Sequence, residues 1–239
     1  MKQTFSKKQH DVFKKYAKIK DAPWEWDKKY LDKTTSYLKY IKWIPWLEMI
    51  WVGNSISMNS SRESSDIDLY VVTSSNSIWL VRILLTVIFQ VLRVRKTDKK
   101  HSWRFCLSFF STNKWMDFSS FAIENDIYLY FWIIYLKPIL SYNNTYENFI
   151  KINNSWADFS EYSSKIEENK KTIVYKKNTE ENTKKSLSHI NNFLKNIFLP
   201  KTIKTYKTLW KPFWVIINND MLKFHNNDIR KEVSENIWL

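Results

Sequence analysis

The sequence predicts a mixed α/β (α+β) fold, a small mixed sheet flanked by helices with a helical C-terminal part. Three observations carry that expectation. Leu47 to Val52 (LEMIWV), Asp66 to Thr73 (DIDLYVVT) and Trp103 to Phe110 (WRFCLSFF) are short apolar runs rich in β-branched and aromatic residues, and they read as strands. Between the second and third lies Ile78 to Val94, an apolar stretch led by Ser74, Ser75, Asn76 and Ser77 as turn and N-cap residues, which reads as a helix. The resulting order is strand, strand, helix, strand.

The other elements follow from spacing and breakers. Up to about Lys20, apolar residues at Phe5, Val12, Phe13, Tyr16 and Ile19 form a helical stripe on a basic background, which Ala22 and Pro23 break. Lys28 to Ile41, with Tyr30, Tyr37, Leu38 and Ile41 at helical spacing, predicts a second helix before Pro45 turns the chain into the first strand. Beyond the third strand a long helix is expected over Phe121 to Leu136, with Pro138 marking its end or the start of a short extended piece. Another helix is expected over 146–159. Lys165 to Lys185 is charged and poor in apolar residues, the composition of a linker or loop. Ser186 to Phe198 returns to helical spacing, with Leu187, Ile190, Phe193, Leu194 and Ile197 on one side. The expected organisation is N-terminal helices over 1–44, a sheet domain over 45–160, a linker over 161–186 and a C-terminal helical extension over 187–239, with no internal repeat.

Composition narrows the class. A chain of 239 residues suffices for one sizeable domain, or a domain with a helical extension. Its net charge of +14, from 38 Lys and Arg against 24 Asp and Glu, points to anionic partners such as nucleotides or nucleic acid. A Lys-, Asn- and Ile-rich bias of an AT-rich gene is an equally available source of that charge. No membrane span is expected, because Trp79 to Leu92 is too short for one and contains Arg82 and Gln90. The opening residues lack a signal-peptide core, and the single cysteine, Cys106, rules out an internal disulfide, so a cytoplasmic location is expected. Cys106 and 4 scattered histidines show no zinc-ligand spacing, and one glycine cannot build a Rossmann or Walker loop.

The single glycine stands against 13 tryptophans, where ordinary usage of about 7% would give roughly 17 glycines. Some tryptophans occupy turn contexts that suit glycine: Trp46 follows Pro45, and Trp214 lies just after Pro212. The pattern is that of a gene whose UGA codons mean glycine, translated with UGA as tryptophan. UGG codons at Trp46, Trp51, Trp210 and Trp214 would exclude it. Trp79 and Trp156 sit in apolar or aromatic settings that an aromatic suits.

The chemistry concentrates between Val52 and Thr73 (VGNSISMNSSRESSDIDLYVVT). Asp66 and Asp68 stand i, i+2 on a strand, so both carboxylates lie on one face. Hard oxygen ligands so placed are what Mg2+ or Mn2+ takes, with water and substrate phosphate completing the shell. Upstream, Gly53, Asn54 and Ser55 form a small-residue turn between a strand and a short helix, where backbone N–H groups and a hydroxyl cradle an anion. Asn54 is the non-glycine type best able to adopt a left-handed conformation. Arg62, in the polar turn SSRESS, is a further phosphate candidate or a solvated side chain.

Together the G-N-S turn, the SSRESS turn and the D-I-D strand resemble the signature of the nucleotidyltransferase superfamily (polymerase-beta-like nucleotidyltransferase domain). SDIDLYVVTSSNSIWLVR, CLSFF and NNDMLKFHNNDIRKEV look like a poorly characterised bacterial branch of it, over roughly residues 45 to 160 and 208 to 232. The resemblance implies Asp66 and Asp68 as catalytic metal ligands, Gly53, Asn54 and Ser55 as the nucleotide phosphate site, an NTP as donor and an acceptor it does not identify. It also implies a third carboxylate on the strand after the helix. WRFCLSFF offers only Ser108 there, and Asp117 lies beyond the strand end. In LKFHNNDIR, Lys223, His225, Asp228 and Arg230 could converge on an anionic ligand, or Asp228 could pair with His225 within a helix. The expected function is metal-assisted in-line transfer of a nucleoside monophosphate. The alternatives are a degenerate nucleotide- or RNA-binding module, for which the missing carboxylate speaks, and an antitoxin-like partner protein.

Overall fold

A computed structural model describes residues 2–177, 188–207, 215–224 and 229–236. Among them one mixed sheet organises the chain. Its strands are β1 (Leu47–Val52), β2 (Ile67–Thr73), β3 (Phe105–Thr112), β4 (Lys137–Tyr142), β5 (Tyr175–Lys177), β6 (Val215–Ile217) and β7 (Met221–Phe224), in the order β5-β4-β1-β2-β3-β7-β6. β1 is antiparallel to β2 and β4, whereas β2 and β3 run parallel and are joined by helix α4 (Ile78–Val91). Every residue of β1 is buried, as befits a strand covered on both faces.

Alternation along the strands feeds two apolar clusters. Trp51, Tyr70, Val72 and Phe109 face α1 (Lys7–Tyr16), α5 (Ile127–Tyr135) and α6 (Thr145–Asn153). Ile50, Val52, Ile67, Leu69 and Val71 face α2 (Glu25–Leu38) and α4. Helix α5, IYLYFWIIY, is apolar nearly all round and buried at every position except the half-buried Tyr128, the pattern of a helix inside the domain. Its start is anchored by Asp126, whose carboxylate accepts from the Leu129 and Ile123 N–H groups and pairs with Arg230 at 2.9 Å.

Several expectations shift. The helix expected from Phe121 begins at Ile127, because Asp126 caps it there, and Pro138 lies within β4, so the extended alternative holds. The helix expected over 146–159 ends at Asn153, whose side chain turns inward to bond the Phe118 N–H and the Met116 carbonyl. Within the expected linker, residues 163–177 instead form α7 (Ser163–Lys170) and β5, the latter pairing with β4. The C-terminal part is not helical alone: it adds β6 and β7 to the sheet, beside α8 (Ser188–Lys207) and α9 (Arg230–Asn236).

Helix α8 also turns a different face inward than its spacing suggested. Leu194, Phe198 and Leu199 pack on the core, while Ile190, Phe193 and Ile197 are exposed. A polar contact sets this roll: the Asn191 side chain accepts from the Trp79 and Leu80 N–H groups at the start of α4, at 2.9 and 3.3 Å. The expected cap, Ser77, instead donates its hydroxyl to the Ser74 carbonyl. On α1 the stripe is likewise narrower than expected, with Phe13 buried and Val12 and Tyr16 exposed.

The tryptophans divide by environment. Trp46 is half-buried in a turn, but Trp51 sits mid-strand, fully buried, with its ring edge-on to Phe149 at 4.3 Å, so no turn calls for glycine there. Trp103 has a φ of 61°, a left-handed conformation unusual for a bulky residue. Trp210, Pro212 and Trp214 lie outside the described residues.

Candidate metal and phosphate site

The turn that delivers Asp66 is shaped from α2. Asp27, fully buried, accepts from the Trp24 N–H at 3.1 Å and the Ser61 N–H at 3.1 Å, and also binds the Ser61 hydroxyl. One turn along the same helix, the Tyr30 hydroxyl lies 2.8–3.1 Å from the carbonyls of Arg62, Glu63 and Ser65. A polar loop that would otherwise be set by solvent is thereby held against the core. The Trp103 ring packs against Tyr30, tilted by 31° with centroids 4.2 Å apart.

On the sheet, the Gly53 N–H donates to the Asp68 carbonyl at 3.0 Å, which places the G-N-S turn directly beside the D-I-D strand. Gly53 has an extended backbone (φ −113°) that any residue adopts, and a Cβ there would stand in ordinary van der Waals contact, 3.4 Å from the Trp132 indole nitrogen and 3.5 Å from Leu136. Asn54 adopts the expected left-handed conformation (φ 55°) and opens the four-residue helix α3 (Asn54–Ser57). Its side chain is clamped at both ends, accepting from the Trp132 indole N–H at 2.9 Å and donating to Asp68 Oδ2 at 2.7 Å. Ser55 is half-buried, and its carbonyl accepts from the Ser60 N–H at 2.8 Å. A shallow pocket lined by Gly53, Asn54, Asp68, Ser108, Phe109 and Trp132 opens at this point.

Asp66, Asp68 and Cys106 offer donor atoms that all lie within 4.8 Å of one another. Cys106 reaches the group because β2 and β3 pair in parallel with Asp68 opposite Cys106. Lys96 completes the cluster, its Nζ 2.5 Å from Asp66 Oδ2. The charges couple. Burial, and then the neighbouring Asp66 charge, push the Asp68 carboxyl up to about 6 against the pull of Asn54, Lys96 and Cys106. Burial, and then Asp68, push the Cys106 thiol up to about 12. Burial is the largest single influence on Lys96 and would lower it, but its bond to Asp66 and the charges of Cys106, Asp66 and Asp68 together outweigh that and leave it raised.

The remaining sequence candidates fall elsewhere. Arg62 is exposed on its turn and serves the fold through its backbone, with its N–H on Ser65 Oγ and its carbonyl by Tyr30. Asp117 does not supply the third carboxylate: it is exposed and caps the single 3-10 turn Phe118–Ser120, accepting from the Ser119 N–H at 2.9 Å. Lys223 is buried on β7 opposite Phe109, and Arg230 is committed to Asp126 and the Phe121 carbonyl, so Arg230 ties α9 to α5. His225 and Asp228 lie outside the described residues.

Three contributors were not singled out from sequence: Cys106, Lys96 and Trp132. Only Cys106 carried a signal, standing two residues before Ser108 on the strand where a third ligand was sought. Among the described residues no helix is long and apolar enough to cross a membrane. No protein-family model matches the chain, and neither does any curated protein or solved structure compared with it.

Proposed function

We propose that the protein is a nucleotidyltransferase, moving a nucleoside monophosphate from an NTP to an acceptor with the aid of a divalent ion held at Asp66 and Asp68. One observation carries the reading: the two carboxylates converge beside a glycine-led turn whose backbone is bonded to the same strand. In-line displacement at an α-phosphate needs little covalent help from the protein and much positioning and charge stabilisation. Asp66 and Asp68 suit Mg2+ or Mn2+, which prefer carboxylate oxygen. The ion supplies Lewis-acid stabilisation of the phosphoryl oxygens.

The chain's own groups divide the rest of the work. Asn54 orients Asp68 by its 2.7 Å bond, and Trp132 fixes Asn54 in turn. The opening N–H groups of the segment after Gly53 lack helical partners by virtue of their position, which would leave them to a phosphate of the donor. Lys96 neutralises Asp66 until the ion arrives.

A second reading, a nucleotide- or RNA-binding module without turnover, is favoured by Cys106 standing where a third carboxylate would strengthen a catalytic ion. The test incubates the protein with each α-labelled NTP, Mg2+ or Mn2+ and cell extract, against Asp68→Asn. Label transfer that disappears in the variant is expected. Nucleotide binding without transfer under any metal selects the binding module.

A further inference from the structure

We infer that the loop between α4 and β3, residues 92–104, is a docking surface for a single strand of nucleic acid, which it presents to Asp66 and Asp68 as the acceptor. The acceptor role rests on the transferase reading, while the surface itself stands on charge and geometry.

The loop is basic beyond the general bias of the chain. Arg93, Arg95, Lys96, Lys99, Lys100 and Arg104 lie within it, against Asp98 as its one acid. Half of the chain's six arginines are here, and a codon bias toward lysine does not gather arginine. The guanidinium is the side chain whose planar fork matches phosphate oxygens. Among the described residues, Lys96 alone of these cations pairs with a carboxylate, that of Asp66. Like charges are also held together. Burial, and then the Arg104 guanidinium, push the Lys33 ammonium down, and that ammonium donates to the Trp103 carbonyl at 2.5 Å rather than to an acid. Cations gathered without counter-charges favour an anion from outside.

Hydrogen bonds fix where that anion would lie. The two limbs of the loop are joined, the Phe105 N–H to the Val94 carbonyl at 2.8 Å and the Lys96 N–H to the Phe105 carbonyl at 2.9 Å, with Thr97 and Lys100 bridged at the tip. Its base clasps the turn that delivers Asp66, through the Trp103 N–H on the Ser65 carbonyl at 3.0 Å and the Ile67 N–H on the Arg104 carbonyl at 2.8 Å. The cations therefore run from the exposed tip at Lys99 and Lys100 to Arg104 beside the carboxylates. Such a row suits a chain of phosphodiesters, whereas a single triphosphate would engage one end of it. No large apolar side chain of the loop is exposed, so it lacks the apolar wedge that a lipid surface takes up. In the transfer a strand hydroxyl oxygen bonds the α-phosphorus, pyrophosphate departs with the electrons of the broken bond, and the hydroxyl proton passes to water.

The test follows the anisotropy of short labelled single strands, one of RNA and one of DNA, in EDTA so that neither metal nor transfer enters. Binding is expected, with affinity falling steeply as salt rises. Lys99→Gln with Lys100→Gln, at exposed positions, should weaken it about tenfold and lower the slope of log affinity against log salt by about 2. Lys99→Arg with Lys100→Arg should keep it. Lys7→Gln with Lys8→Gln removes the same charge from exposed positions of α1, on the opposite face of the sheet, and should shift affinity by about twofold at most. Equal loss in the two Gln pairs would assign binding to overall charge, and equal competition by ATP or inorganic polyphosphate would assign it to phosphate of any kind. Either result, or strand binding untouched by the loop pair, overturns the inference. Label transfer from an NTP with no strand binding leaves the transferase reading standing and this inference refuted. Strand binding lost in the loop pair, with no transfer from any NTP, keeps the surface and sinks the transferase reading instead.

Discussion

Replacing Asp68 by Asn should make the metal-free protein more stable even as it removes one of the two carboxylates on which the proposed function rests. Burial, and then Asp66, raise the Asp68 carboxyl from 3.8 to about 6 in the fold. Holding it ionised at pH 8 therefore costs about 3 kcal/mol. Residual solvent access trims the figure to about 1–2 kcal/mol. Asn keeps the volume and an acceptor oxygen for Asn54, so the neutral side chain escapes the cost without opening a cavity. The direction with pH follows from proton counts. Between about pH 4 and 6 the unfolded chain has released this proton while the folded chain retains it, so wild-type stability falls as pH rises through that window and the penalty is constant above it. Urea unfolding in EDTA at pH 8 should show Asp68→Asn more stable by about 1–2 kcal/mol, and at pH 4 nearly equal to wild type. A variant that is no more stable at pH 8, or that gains as much at pH 4, would refute the electrostatic account of the site. Such a gain on losing a functional group is the expected signature of a strained site.

Trp132→Phe removes the indole N–H on Asn54 and should cost about 1–2 kcal/mol. In a double-mutant cycle with Asn54→Ala, the losses should fall short of additive in thermal unfolding. Lys137 is buried, and burial lowers it to about 8 from 10.5, so wild-type stability gains a contribution from this residue as pH rises from 8 toward 10.5. The difference between wild type and Lys137→Met in urea unfolding should change over that window, and a constant difference would sink the account. Trp103→Gly relieves a left-handed backbone worth about 1–2 kcal/mol and so should nearly offset its lost ring contact with Tyr30. Trp51→Gly should cost about 3–5 kcal/mol. Equal losses at the two positions by urea unfolding would contradict this contrast.

Much of the sheet was legible because its strands are local signals. LEMIWV became β1 with the expected bounds, and DIDLYVVT became β2 with Asp66 just outside it. The carboxylate pair, the glycine-led turn and the left-handed Asn54 likewise follow from spacing and residue type. Boundaries moved where a side chain from afar intervened. Asp126 started α5 late, and Asn191 rolled α8 by capping α4 across the sequence.

The sequence by itself thus determined an α/β chain with two carboxylates beside a small-residue turn, because strand alternation and turn chemistry act over a few residues. Only the tertiary structure decided who joins them. Parallel pairing of β2 with β3 brings Cys106 opposite Asp68, the turn before β3 sets Lys96 on Asp66, and α5 carries Trp132 onto Asn54. Those meetings depend on register and packing between distant segments, which no local pattern encodes.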